Sequence, residues 1–527
     1  MHRRRFLSTI GSAGIASWLW PRTASAFAAN AREASGSQAA PASSSPIAIH
    51  PQNARYFLFR GRPLVLLAAS EHYGSIVNRR FDFERYLHDA AARKQTVTRT
   101  FLLYRELQSV RNPYSPLKPE SPDYVTPYPR TGPGTAHDGE LKYDLDQWNS
   151  EYLDRLHGFL SLASQLGIVV ELTVFSNTYE DEIWGLNPLR FGNNLQGVGN
   201  VKWQEYLSQR EAKLFERQIA FARKVVQETS RYDNVYYEVC NEPGGGFAAM
   251  PSPAEVDAWQ AAIATTLREE MKKLNRHHLL SGQYAFTYEP DFFQGFDSAY
   301  SGQMLDIVNI HPLPHLDLKG RKYELGNFMS KELQLREFRD FFVAACKEAK
   351  PTVSDEDNAA SIYLDDAGWT IERKRAWMAV MCGSHYDFID FSIQAHLEAG
   401  TDESQKKIRN WIRNLSQFIA SYDFIPASNS QEWILGAPDL TVAAGLAVEG
   451  KDYVAYIADS REVSDAQAGK PIQGKFSVRL PAGDYQLRFY SPVSGQYVHS
   501  QNIRGDAAKI PLGPFEHDVA LRITRSS

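Results

Sequence analysis

Asn234-Val235-Tyr236-Tyr237-Glu238-Val239-Cys240-Asn241-Glu242-Pro243 is a β-branched and aromatic run that closes on an amide, a carboxyl group and a proline. Residues of the first kind favour a pleated, buried strand, and proline removes the next backbone donor. The stretch reads as a strand with Asn-Glu at its C-terminal end, setting a carboxyl group able to move a proton beside a hydrogen-bonding amide. A second short strand, Lys350-Pro351-Thr352-Val353, runs into Ser354-Asp355-Glu356-Asp357. Glu242 and Glu356 are separated by 114 positions. In an eight-fold β/α barrel that interval suits a separation of three strands, with both side chains at one mouth.

Working outward, strands and helices alternate. Strand-like runs fall at 64–69, 96–102, 168–174, 235–239, 278–283, 305–310, 351–354 and 386–393. Helical periodicity marks 82–93, 148–165, 203–229, 330–349, 367–382 and 403–420, and Ser252-Pro253 opens another helix with a serine cap and proline at the first position. A fifth helix near 290–298 is faint. Eight parallel-type strands with intervening helices favour an α/β fold of the (β/α)8 TIM-barrel kind. A hairpin precedes it, with Ala54–Phe59 as one arm, a turn at Arg60-Gly61-Arg62 and a continuously apolar second arm over Leu64–Ala69. Long connections at 103–147 and 176–201 read as the walls of a cleft, and Gly244-Gly245-Gly246 as a flexible part of it. After about 428, short strands separated by Gly, Pro and Asp turns read as a β-sandwich. The expected organisation is a signal over 1–28, a flexible linker over 29–46, a barrel with its N-terminal hairpin over 47–427 and a β-sandwich over 428–527.

Composition excludes several classes. The formal charge is −5 and no basic stripe is visible, which argues against nucleic acid as a partner. Arg3-Arg4-Arg5-Phe6-Leu7, a modest apolar stretch and then Ala24-Ser25-Ala26 or Ala26-Phe27-Ala28 as the cleavage mark follow the order of a Tat export signal, so a periplasmic or secreted location is expected. No other segment approaches the ~20 apolar residues of a span, so stable membrane insertion is not expected. The three cysteines, Cys240, Cys346 and Cys382, read as buried apolar groups rather than a disulfide framework. His277 and His278 are strand neighbours facing opposite sides, and the triple glycine lacks the Lys-Ser/Thr of a phosphate loop. Neither a metal nor a cofactor is therefore expected.

The order of Arg99, Asn241-Glu242, His311 and Glu356 at strand ends resembles that of clan A glycoside hydrolases, the retaining barrel enzymes that include the cellulase-like family 5. Ser70-Glu71-His72-Tyr73-Gly74, Thr98-Arg99-Thr100-Phe101 and Tyr237–Pro243 are similar to a bacterial cellulase-like subgroup, over roughly 47–425. The stretch from Tyr485 to Gly495 resembles small sandwich domains appended to such barrels. The resemblance implies Glu242 as acid/base, Glu356 as nucleophile, Arg99 as the group orienting Glu356, Asn241 as a partner of a sugar hydroxyl, and His311 as the sixth-strand histidine. Glu71 and His72 would reach the donor-side sugar or pair with Arg99. Two departures stand out. Leu313 replaces a frequent tyrosine, and no tryptophan closes the eighth strand, leaving Phe391, Tyr179 or Trp184 as sugar platforms.

Each assignment has a structural competitor. Buried ion pairs inside a barrel would also place Glu242, Arg99 and His311 at strand ends, and a one-residue slip in phase would pass the role of Glu356 to Asp355. The implied activity is retaining hydrolysis of a polysaccharide or oligosaccharide by double displacement, with carbohydrate as the partner. Transglycosylation by the same carboxylates and carbohydrate binding without catalysis are the alternatives. Because the sandwich supplies none of the matching residues, a chain ended near Gln431 is expected to keep its chemistry at some cost in stability.

Overall fold

The computed structural model describes residues 45–72, 74–103, 123–246, 250–288, 293–326, 331–357 and 363–526. The twin-arginine segment, the linker up to residue 44 and positions 104–122 of the first long connection lie outside them. Among the described residues no helix is long and apolar enough to cross a membrane.

The barrel strands are β1 (Leu67–Ser70), β2 (Val97–Phe101), β3 (Val169–Ser176), β4 (Val235–Asn241), β5 (Leu280–Gly282), β6 (Ile307–Ile310), β7 (Thr352–Asp357) and β8 (His385–Ile389). They pair in the order β1-β8-β7-β6-β5-β4-β3-β2, with every barrel pair parallel. Two bonds bring the ends of that order together, Thr96 N donating to Leu67 O at 3.0 Å and Phe101 N to His72 O at 3.1 Å. All eight strands are buried on both faces, as a sheet wrapped by helices requires.

The helices are α1 (Phe83–Ala92), α2 (Ser150–Leu166), α3 (Ala212–Thr229), α4 (Pro253–Lys273), α5 (Asp297–Ser301), α6 (Leu335–Ala345), α7 (Asp366–Cys382) and α8 (Ile408–Ala420). Their limits follow from local chemistry. Asp82 and Asn149 cap α1 and α2, Ser252 and Glu255 form a capping box ahead of α4 with Pro253 inside it, and Gly167 and Gly383 close α2 and α7 in the left-handed conformation. The faint fifth helix is only five residues long.

Two readings of the sequence are corrected here. The apolar run Leu64–Ala69 is not one strand. Arg62–Leu64 pairs with Phe57–Phe59 in the hairpin, and the chain then enters the barrel as β1. Phe57 and Phe59 pack with Ala68, Val97, Val169, Tyr236, Ile307 and Val353, residues near the N-terminal strand ends. The hairpin thus plugs the floor of the barrel, and this explains why its first arm is apolar. Gly244-Gly245 is likewise not a flexible wall but a strand paired with Phe286–Thr287 in a small rim sheet. A Cβ at Gly244 would lie 2.4 Å from the Tyr288 ring, so close packing explains the glycine.

The C-terminal strands are β9 (Ile434–Gly436), β10 (Thr441–Val448), β11 (Asp452–Asp459), β12 (Ile472–Ser491), β13 (Gln496–Phe515) and β14 (Asp518–Arg525), all antiparallel. Register shifts along β12 divide it into a half that pairs with β9 and a half that pairs with β14, and the sheet forms a β-sandwich. Alternation along the strands buries both faces. Tyr453, Ala455, Ile457, Leu521 and Ile523 fill the sandwich, while Val454, Tyr456, Ala458 and Ala520 belong to the core shared with the barrel.

Helix α7 lies in that shared core. Trp377 stacks on Tyr456 with centroids 5.3 Å apart, Arg373 pairs with Asp518 at 2.7 Å, and Lys374 Nζ donates to Asp459 O at 2.8 Å. Removing the sandwich would expose this apolar face and strip Arg373 and Lys374 of their partners. A chain ended at Gln431 is therefore expected to lose its cooperative melt or accumulate as aggregate. A soluble fragment melting at the full-length temperature would contradict this.

Candidate active site

The strand ends β4 and β7 both leave regular geometry at the residues of interest. On β7 the register advances from Ser354 to Asp357 while β8 advances only from Tyr386 to Phe388, one residue fewer. This bulge, with Glu356 at φ +50°, lets two consecutive acids reach one side of the strand. Strict alternation would have sent them to opposite faces. Both touch Arg99: its Nε lies 3.1 Å from Asp355 Oδ2, and its Nη1 donates to Glu356 Oε2. Both acids between which the sequence left a choice, Asp355 and Glu356, therefore face Arg99.

On β4, Glu242 follows the last strand residue at φ +45°. The connection after β3 holds it there. Asn177 Nδ2 donates to Glu242 O at 3.0 Å, and the Tyr179 hydroxyl donates to Glu242 Oε2. Tyr179 is itself at φ +64° and accepts from Asn241 Nδ2 at 3.1 Å. Three side-chain-bearing residues in the left-handed region meet at one place. Such conformations cost ~1–3 kcal/mol each and persist only where the surroundings dictate them.

Arg99 stands at the centre, fully buried. Nη2 donates to Glu238 Oε2 at 2.6 Å and to Asn241 Oδ1 at 2.8 Å. Burial works against its charge, but Asp355, Glu238 and Glu356 outweigh burial and hold it well above the usual arginine range. Burial likewise opposes a charged His311, yet contacts with Asp355 and Glu242 push it up to about 10. His311 Nδ1 lies 3.2 Å from Glu242 Oε1 and Nε2 lies 3.8 Å from Asp355 Oδ2. His72 is buried too, and Asp387 and Glu356 overcome that burial to push it up to about 9. Its Nε2 is 3.2 Å from Asp387 Oδ2.

One polar atom each from Glu242, His311 and Glu356 lies within 4.8 Å of the other two. At least one carboxyl oxygen of each glutamate therefore lies within 4.8 Å of one on the other, so the two groups face each other.

Six of the residues singled out from sequence meet here: Glu242, Glu356, Arg99, Asn241, His311 and His72. Two do not. Glu71 caps the turn after β1, accepting from Ser75 N at 3.0 Å and Ser75 Oγ at 2.6 Å. Trp184 is 1% exposed, packs against Tyr206 at 5.0 Å and donates Nε1 to Val201 O, so its face is closed to a sugar. Phe391 is buried as well.

Sequence reasoning passed over Glu171 and Asp387. Burial, then Asp355 and Glu238, push the Glu171 carboxyl well above the usual range, and it accepts from Tyr236 OH at 2.9 Å and Asn309 Nδ2 at 3.0 Å. The available signal was polar residues inside otherwise apolar strands. Metal-ligating types also gather in three groups invisible to spacing, His72–Asp355–Asp387, Glu238–His311–Asp355 and Glu242–His311–Glu356. Arg99 already contacts Glu238, Asp355 and Glu356 and supplies positive charge to them.

A sequence profile described as a domain of unknown function, DUF6298, matches residues 119–239. No curated protein matches the chain. Among solved structures, a glycoside hydrolase family 5 protein from Bacteroides vulgatus ATCC 8482 is similar at 11% identity, covering 91% of this chain and 93% of its own, with a TM-score of 0.57. A putative glycoside hydrolase from the same organism is similar at 11% identity over 92% of this chain and 82% of its own, with a TM-score of 0.59. The fold is that of the family 5-like glycoside hydrolases, and the likeness extends beyond the barrel alone.

The left-handed backbone at Glu242 and Glu356 gives a direct expectation. At either position a glycine replacement should be more stable than alanine by about 1 kcal/mol, because only glycine adopts this conformation without strain. Denaturant unfolding of the four variants checks it, and alanine equal to or more stable than glycine would contradict the geometry.

Proposed function

We propose that this protein is a retaining glycoside hydrolase acting on a polysaccharide or oligosaccharide. The carrying observation is the separation of less than 4.8 Å between carboxyl oxygens of Glu242 and Glu356. At that spacing Glu356 attacks the anomeric carbon directly while Glu242 protonates the departing oxygen. The glycosyl-enzyme is then hydrolysed by water that Glu242 deprotonates.

The surroundings support these roles. Arg99 directs a permanent positive charge at Glu356, and its second nitrogen fixes Asn241 beside the reaction. His311 Nδ1, 3.2 Å from Glu242 Oε1, and the Tyr179 hydroxyl on Oε2 hold the Glu242 carboxyl group toward the reacting oxygen. A protein that merely bound carbohydrate would have no use for two strained glutamates facing each other. Transglycosylation would use the same residues, with a sugar hydroxyl taking the place of water. We further propose export by the Tat route, on the Arg3-Arg4-Arg5-Phe6-Leu7 segment.

Replacing Glu356 by glycine should abolish turnover of aryl glycosides, with azide or formate partly restoring it from the vacated position. Glu242→Ala should lose about 10²–10⁴-fold on substrates with poor leaving groups and much less on good ones. Full activity in Glu356→Gly, or a Glu242→Ala loss independent of the leaving group, would reject the assignment.

A further inference from the structure

The strained turn of backbone at Glu356 is anchored immediately after it. Asp357 is fully buried, and its Oδ1 accepts from Arg375 Nη1 at 2.8 Å, while Oδ2 lies 3.2 Å from the Tyr386 hydroxyl. Tyr386 also donates to Glu372 Oε2 at 2.6 Å. Glu372 and Arg375 are three apart on α7, so they share the face turned to the barrel. Arg373, Lys374 and Trp377 reach the sandwich instead.

Arg375 is gripped a second time. Its Nε donates to Leu333 O at 3.2 Å. The amides of Leu333 and Gln334 in turn donate to the carboxylate of Glu462, which belongs to the C-terminal domain. A continuous chain of contacts, half-buried at Glu462 and fully buried from Leu333 onward, thus runs from the sandwich through Arg375 and Asp357 to the bulge that carries Glu356.

We infer that Arg375 is a positioning residue for Glu356, acting through Asp357, and that the C-terminal sandwich serves to hold Arg375 in place; this rests on the nucleophile role proposed for Glu356. The bulge supplies the physical reason. A left-handed glutamate relaxes unless the next residue is fixed, and a buried ion pair is an anchor that solvent does not loosen. A barrel without this brace would let the carboxylate drift from the anomeric carbon, weakening the chemical step more than binding.

The single Arg375→Gln change strands a buried carboxylate, so the informative variant is Arg375→Gln/Asp357→Asn, which removes both charges together. Against the aryl glycoside that the wild type hydrolyses best, its kcat should fall about 10- to 100-fold with KM little changed. The acidic limb of its pH profile for kcat/KM should shift, since that limb follows ionisation of the nucleophile. Arg375→Lys should recover part of the loss. Glu462→Gln, which slackens Leu333 without stranding a buried arginine, should show the same signature more weakly and decides the matter should the double variant not fold. A folded double variant, or Glu462→Gln, with wild-type kcat and pH profile would overturn the inference, even if its melting temperature fell. Glu356→Gly runs in parallel: full activity there would remove the nucleophile role itself, whereas a dead Glu356→Gly beside unaffected Arg375 variants would remove only the positioning role.

Discussion

One buried guanidinium sets the terms for the interior of this barrel. The carboxyl groups of Glu238, Asp355 and Glu356 converge on Arg99, and Glu171 and Asp387 lie in the same network. Ions so deeply buried cost several kcal/mol each unless paired and hydrogen-bonded. Each of these groups therefore has few places to go, and its position follows from where Arg99 points. Two histidines held protonated, His72 and His311, supply the remaining positive charge at the mouth. The floor is dry by contrast, sealed by Phe57 and Phe59 of the hairpin.

The bulge on β7 brings a second acid, Glu356, onto this network and within reach of Glu242. Without the extra residue, Glu356 would point away from Arg99 and Asp355 alone would face it. With it, Asp355 sinks into the charge network and Glu356 rises toward Glu242. The same division recurs on β4, where Glu238 pairs with Arg99 below and Glu242 stands above it on a strained backbone.

Much of this was legible in the sequence because parallel strands buried on both faces leave unbroken apolar runs. Val235–Val239 and the stretch ending in Ile310 are read correctly for that reason, and the glutamates follow from their place at strand ends. The failures have equally definite causes. Leu64–Ala69 is uniformly apolar because one half plugs the floor and the other forms β1, and apolarity cannot mark the break. Asp355 and Glu356 are irresolvable by alternation because a bulge suspends alternation. Tyr179 and Asn177 reach Glu242 only through folding of a long connection, and no local pattern carries that. Nothing in the charged run Glu372-Arg373-Lys374-Arg375 marks burial, yet all four side chains are buried. Trp184 misleads in the other direction, since an aromatic in a rim loop is as useful to a core as to a sugar.

The central proposal is that Glu242 and Glu356, whose carboxyl oxygens approach within 4.8 Å, act as acid/base and nucleophile, so that the sugar passes through a bond to Glu356. The stereochemistry of the product tests this most directly. Proton NMR of the first-formed sugar, recorded before mutarotation equilibrates it, should show the anomeric configuration of the substrate. A first product of inverted configuration would contradict the account.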